Sequence, residues 1–253
     1  MSSPEVLTGS FDSLLARPDA HVVLDLATES SALLVLFGGI AGGVSMPVFE
    51  FFRLTSGFPA KKVFLRDPRR GWYQLGIPGV GDSATAVRDL LSAAIERARA
   101  ERVVMAGASA GGFAALLFGA WCAADEVIAF SPQTFVDAEN RWLAGDTRWP
   151  EQIDALHQAL ATDSRAAILD LLDVLPLAPG KTCYQVHVST DDPLDLFHAQ
   201  RIAGRSGVEI FQHDRGGHLL VKTLRNRGLL QPMLLQALSD RTAGSDPQPP
   251  DRF

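Results

Sequence analysis

Cysteine is nearly absent: Cys122 and Cys183 are the only two in 253 residues. Each sits inside an apolar stretch, so they read as reduced, buried thiols of a reducing compartment and not as a disulfide framework. Positive charge is also in short supply, with 23 Lys and Arg against 29 Asp and Glu and a formal net charge of −6. No global field therefore attracts nucleic acid or an anionic membrane surface. No run approaches the roughly 20 apolar residues of a membrane span, and Met1 to Ser10 lacks the basic flank and apolar centre of a secretory signal. A cytoplasmic location is expected. His198 and His213 have no Cys or carboxylate at ligand spacing that is not better used elsewhere, so neither a metal site nor another cofactor is expected.

What is present is a chain of 47% hydrophobic composition, long enough to bury a large single core. Apolar, β-rich runs recur at His21–Leu26, Ala32–Phe37, Lys62–Leu65, Arg102–Ala106, Val127–Phe130, Cys183–Val188 and Val208–Gln212. Nearly continuous apolar strands imply burial on both faces, and their alternation with helices implies a mostly parallel sheet with helices on each side. The clearest helix runs from Ser83 to Ala100, with Val87, Leu90, Leu91, Ala94, Ile95 and Ala98 on one stripe and Asp82 as a candidate cap. Between Ser131 and Gly180 an insert carries Trp142, Trp149 and helical runs at Ile153–Ala161 and Ser164–Leu172. It is expected to form a small helical cap at about 131–180 within one domain of 1–240. The polar, proline-rich segment 241–253 reads as a disordered tail.

The most informative motif is Gly107-Ala108-Ser109-Ala110-Gly111, a G-x-S-x-G pattern between the strand ending at Ala106 and a helix-like run from Phe113 to Cys122. In that setting the chain turns sharply, the serine takes a strained backbone conformation, and its hydroxyl stands clear of the sheet edge. The bland reading is a tight strand-to-helix turn with an incidental serine. A serine hydroxyl is a poor nucleophile at neutral pH and needs a base and an orienting acid. Asp214-Arg215-Gly216-Gly217-His218 follows the last strand-like run, and its glycines allow a turn that presents His218; His213 is the competitor.

Three carboxylates, Asp191, Asp192 and Asp195, follow the strand that begins at Cys183. Asp192, where the chain turns at Pro193, is the first choice for the acid and Asp195 the second, while Asp191 reads as a cap or a solvated group. An aspartate-rich helix start favoured by the macrodipole accounts for the remaining ones. The strand Ala32–Phe37 runs into Gly38-Gly39-Ile40-Ala41-Gly42-Gly43, whose backbone N–H groups are unobstructed by Cβ atoms. The amides of Gly39 and Ala110 are the candidate oxyanion donors. Neither glycine cluster has the spacing of a phosphate or dinucleotide loop.

The order Ser109, then Asp192 or Asp195, then His218, with a glycine turn after an early strand, resembles the α/β-hydrolase superfamily over about Val22 to Leu238. The resemblance implies an eight-stranded, mostly parallel sheet, a serine triad at its C-terminal edge, and an acyl-enzyme. Phe37-Gly38-Gly39 departs from the His-Gly-Gly turn of many esterases and is loosely similar to that of assembly-line thioesterases. Those take their acid from an earlier strand end, where Phe130-Ser131-Pro132-Gln133 offers none.

The expected activity is hydrolysis of a small-molecule ester or thioester. Acyl transfer or cyclisation in a biosynthetic pathway is the first alternative, and a non-catalytic binding protein on the same scaffold is the second. Arg66, Arg69 and Arg70 beside Trp72 and Tyr73 could hold an anionic or sugar-bearing group, or Asp67 could pair with Arg66 to fix that loop. Trp142 and Trp149 could line an acyl pocket or simply form the core of the insert.

Overall fold

The computed structural model describes residues 20–40, 51–162, 167–178 and 180–239. The expected tail and the Ala41–Gly43 part of the glycine turn lie outside the described residues.

All seven apolar runs are strands: β1 Val22–Asp25, β2 Ala32–Phe37, β3 Lys61–Leu65, β4 Arg102–Ala108, β5 Glu126–Phe130, β6 Cys183–Ser189 and β7 Val208–His213. They form one sheet in the order β1-β3-β2-β4-β5-β6-β7. Only the β1–β3 pair is antiparallel. The resemblance implied eight strands, and the sheet among the described residues has seven.

Period-two alternation along β2 shows why both faces are covered. Leu33, Val35 and Phe37 point into one core cluster with Val87 and Leu91 of helix α2 (Ala84–Ala98) and with the buried helix α3 (Ala110–Trp121). Leu34 and Leu36 point to the opposite face, where Leu220 and Leu224 of α7 (Leu220–Asn226) and Leu230 and Leu234 of α8 (Leu230–Leu238) close the second cluster. A short helix α1 (Phe52–Thr55) precedes β3.

The cap of α2 is Ser83, whose side chain accepts from the Ala86 amide, while Asp82 instead pairs with Arg69. Between β5 and β6 lie α4 (Ala138–Ala144), α5 (Pro150–Thr162) and a 3-10 turn at Leu171–Asp173; α6 (Pro193–Ile202) follows β6. Ile153 and Leu156 of α5 join the same core cluster as Val87 and Leu91, so this insert packs on the main body. The helix expected over Ser164–Leu172 does not form where the chain is described. There the Leu169 carbonyl accepts from the Val136 amide, the Leu171 amide donates to Thr134, and Ile168 donates to the Gln74 side chain. Backbone groups spent on such cross-chain bonds are lost to a helical ladder. Among the described residues no helix is long and apolar enough to cross a membrane.

Candidate active site

The C-terminal ends of β2, β4, β5, β6 and β7 converge on Ser109. Its backbone lies at φ 54 and ψ −119, a conformation that a non-glycine residue adopts only when its surroundings impose it. Two features impose it. The Ser109 amide donates to the Phe130 carbonyl of β5 at 2.9 Å, and the Ser109 carbonyl accepts from Phe113 at 3.0 Å. Sterics do the rest: a Cβ on Gly107 would sit 2.2 Å from the Gly111 carbonyl oxygen, and one on Gly111 would sit 2.3 Å from that of Phe37. The second approach seats the start of α3 against the end of β2 and the Gly38-Gly39 turn that follows it.

That turn is braced from the next loop. Asp67 accepts from the backbone amides of Arg69, Gly71 and Tyr73 at 2.7–2.9 Å, and the Tyr73 hydroxyl lies 3.0 Å from the Gly38 carbonyl and 3.1 Å from that of Leu65. Trp72 and Tyr73 are fully buried, so they present no face for a sugar to stack on. Arg69 binds the Leu75 carbonyl and Asp82. The post-β3 loop thus builds the wall of the site.

His218 Nε2 stands 2.9 Å from Ser109 Oγ, and its Nδ1 stands 2.8 Å from Asp195 Oδ2 and 3.0 Å from Oδ1. A ring whose Nδ1–H donates to the carboxylate leaves Nε2 as an acceptor for the serine proton. Asp195, not the first-choice Asp192, faces the imidazole. The three aspartates divide the work by position. Asp191 accepts from the Gly217 amide at 2.8 Å and the Gly216 amide at 3.3 Å, and from the Ser189 hydroxyl, so it holds the histidine loop. Asp192 is the N-cap of α6 and accepts from the Asp195 amide at 3.0 Å. Asp195, in the first turn of α6, is fully buried and points back to His218. His213, the competing base, instead meets buried His187 at 3.1 Å.

Two further groups reach these side chains, and neither carries a sequence motif. Gln133, just after β5, accepts at Oε1 from the Trp72 indole at 3.2 Å and lies 3.3 Å from Ser109 Oγ. Because an indole only donates, the amide oxygen must face it, and this orients Gln133 Nε2 away into a buried position with no partner among the described residues. Arg148, in the loop between α4 and α5, donates from Nη1 to Asp195 Oδ1 at 2.6 Å. Burial alone would raise the Asp195 carboxyl, but the hydrogen bond and charge of His218, and then those of Arg148, hold it below the ordinary carboxylate value.

Trp142 is 80% exposed, so it lines no enclosed pocket, whereas Trp149 packs against the main core. Among the described residues one group, Asp192, Asp195 and His218, has ligand atoms within 4.8 Å of one another. Two of these side chains are already hydrogen-bonded to each other, and the third is spent on the helix cap.

No protein-family model matches the chain, and no curated protein matches its sequence. Solved structures do match in shape. The capsule O-acetyltransferase of Neisseria meningitidis serogroup A superposes with a TM-score of 0.63 at 12% identity, over 85% of this chain and 90% of that one. Est1E from Butyrivibrio proteoclasticus superposes with a TM-score of 0.54 at 13% identity, over 85% and 93%. A Glycosylation Associate Protein (Gap123) complex chain from Streptococcus agalactiae gives 0.56 at 14% identity over 90% of this chain, which spans only 46% of that longer one. The chain has the α/β-hydrolase fold.

Proposed function

We propose that this chain is a serine-dependent acyl-transfer enzyme that opens an ester or thioester of a small molecule. The observation that carries the reading is the relay of 2.9 Å from Ser109 Oγ to His218 Nε2 and 2.8 Å from His218 Nδ1 to Asp195. Ser109 Oγ attacks the acyl carbonyl while His218 Nε2 takes its proton, and Asp195 stabilises the imidazolium. The Ala110 and Gly39 amides hold the oxyanion, a contribution of several kcal/mol when such donors are preorganised. The imidazolium then returns the proton to the departing alcohol or thiol, leaving the acyl group on Ser109. An incoming hydroxyl, activated by His218 in the same way, completes the cycle.

Whether that hydroxyl belongs to water or to an acceptor alcohol separates hydrolase from acyltransferase. The shape shared with a capsule O-acetyltransferase supports keeping acyl transfer as a second reading. The test begins with a fluorophosphonate probe and peptide mapping of the native protein, Ser109→Ala and His218→Ala. Labelling at Ser109 that disappears in His218→Ala is expected; absence of labelling in the folded native protein points to a binding scaffold. Aryl acetate turnover in the presence of a competing alcohol then reports the acceptor: acetylated alcohol identifies a transferase, and free acetate alone a hydrolase.

A further inference from the structure

The insert between β5 and β6 sends one side chain into the triad, and that side chain is itself clamped. Arg148 reaches Asp195 Oδ1 with Nη1 at 2.6 Å while its Nη2 and Nε meet Asp146 at 3.1 and 3.2 Å. Its guanidinium therefore lies between two carboxylates that are both fully inaccessible to solvent. The Arg148 amide donates to Asp146 Oδ1 at 2.9 Å, and its carbonyl accepts from Arg141 at 2.6 Å, so the loop is held at the backbone too.

Behind Asp146 stands buried His198 of α6. The Thr134 amide donates to His198 Nδ1 at 3.0 Å, which fixes the tautomer with its proton on Nε2, facing Asp146 Oδ2 at 3.1 Å. Asp195 and His198 lie three positions apart on α6, on one face, so the same helix carries both ends of the chain of bonds. A buried charge network of this kind is costly to assemble. Packing alone would be served as well by apolar side chains.

We propose that Arg148 is a positioning residue for the triad acid: it occupies one oxygen of Asp195, aims the carboxylate at His218, and sets the proton affinity of the His218–Asp195 pair by its own charge. The inference rests on the proposed serine chemistry and names a control over it from outside the triad. The charged groups around the pair are Arg148 and Asp146 from the insert, Asp192 from the start of α6, and Asp191 from the turn after β6. Arg148 contributes a cationic contact of 2.6 Å to Asp195 and a second contact of 3.4 Å to His218 Nδ1. Removing a positive charge beside the pair makes proton uptake easier, and removing the negative charge behind Arg148 makes it harder.

The experiment is the rate of fluorophosphonate labelling at Ser109 between pH 5 and 9, with melting temperature as the check on folding. Arg148→Met should slow the plateau rate by about 10-fold and move the acid limb to higher pH by about half a unit or more. Arg148→Lys should leave the limb near its native position while recovering only part of the rate, because a point charge lacks the two-sided fork. Asp146→Asn should move the limb the opposite way, to lower pH. If Arg148→Met does not fold, the other two variants carry the test. Limbs that stay at the native pH in Arg148→Met and Asp146→Asn, or in Asp146→Asn alone when the first does not fold, overturn the inference and leave the serine reading intact. A native protein whose serine is unreactive at every pH overturns both.

Discussion

The two ends of the site are held by different physics. At the nucleophile end, Ser109 is fixed by backbone hydrogen bonds and by glycines packed so closely that a methyl group would collide with the neighbouring chain. At the acid end, Asp195 is fixed by charge, through Arg148, Asp146 and His198, from a segment 47 positions away. A steric clamp is local and writes itself into the sequence as small residues at fixed spacing. An ionic clamp needs only that its members meet in space.

The largest expected effect removes the chemistry at both ends. Ser109→Ala and His218→Ala should each lower turnover of an activated ester by on the order of 10^4-fold or more, and the double variant should lose no more than either single one, because residues that act as a unit are not additive. Steady-state rates of the two single variants and the double variant decide this. A sharper test of the acid end compares neighbours. Asp195→Asn should cost on the order of 10^4-fold in kcat. Asp192→Ala should cost about 1 kcal/mol of stability through the lost cap, with kcat nearly native. Comparable kcat losses in the two would refute the division of roles between them.

The steric end is tested by Gly111→Ala. A Cβ there would lie 2.3 Å from the Phe37 oxygen and 2.9 Å from that of Gly38. The expected cost is about 1–3 kcal/mol in urea unfolding, with slower labelling of Ser109 because the Gly38-Gly39 turn beside it is pushed aside. Native stability together with native labelling would show that the turn is not clamped.

The last test concerns a buried pair away from Ser109 and His218. His187 is stacked between Phe130 and Phe211, and burial, followed by the charge of His213, pushes its pKa down to about 3. The unfolded chain protonates that ring near 6.5, so between about pH 6.5 and 3 the unfolded state binds more protons. Stability contributed by neutral His187 is therefore present at neutral pH and declines, by up to about 1.4 kcal/mol per pH unit, as pH falls through that window. His198 and His213 are shifted in the same direction by burial. Melting temperature against pH should fall less steeply in His187→Gln than in the native protein; an identical slope would show that the ring is already charged in the folded state.

The same difference between steric and ionic clamps separates what the sequence reveals from what it hides. Seven apolar runs became seven strands because the pattern of each needs no distant partner to be recognised; inner strands such as β2 and β5 are buried on both faces, while the edge strands β1 and β7 are only partly buried. The elbow was equally legible, since Gly107 and Gly111 must be small whatever surrounds them. Strand ends shifted by a residue or two, and the cap of α2 moved from Asp82 to Ser83, a choice between adjacent side chains that both suit the role. The stretch after Ala166 read as helical, yet pairing with Thr134 and Val136 overrode its local preference.

The sequence by itself determined the order of the strands along the chain, the place of Ser109 at the end of β4, and a short set of acids and bases downstream of it. Only the tertiary structure set Asp195, and not Asp191 or Asp192, against His218, gave Trp72 and Tyr73 a structural place, and brought Arg148 to Asp195. The reason is distance along the chain: Ser109 and His218 are 109 positions apart, and which face of α6 meets them depends on how β6, β7 and the insert pack together. Local patterns record steric needs within an element, whereas hydrogen bonds and charges between elements leave no spacing to read.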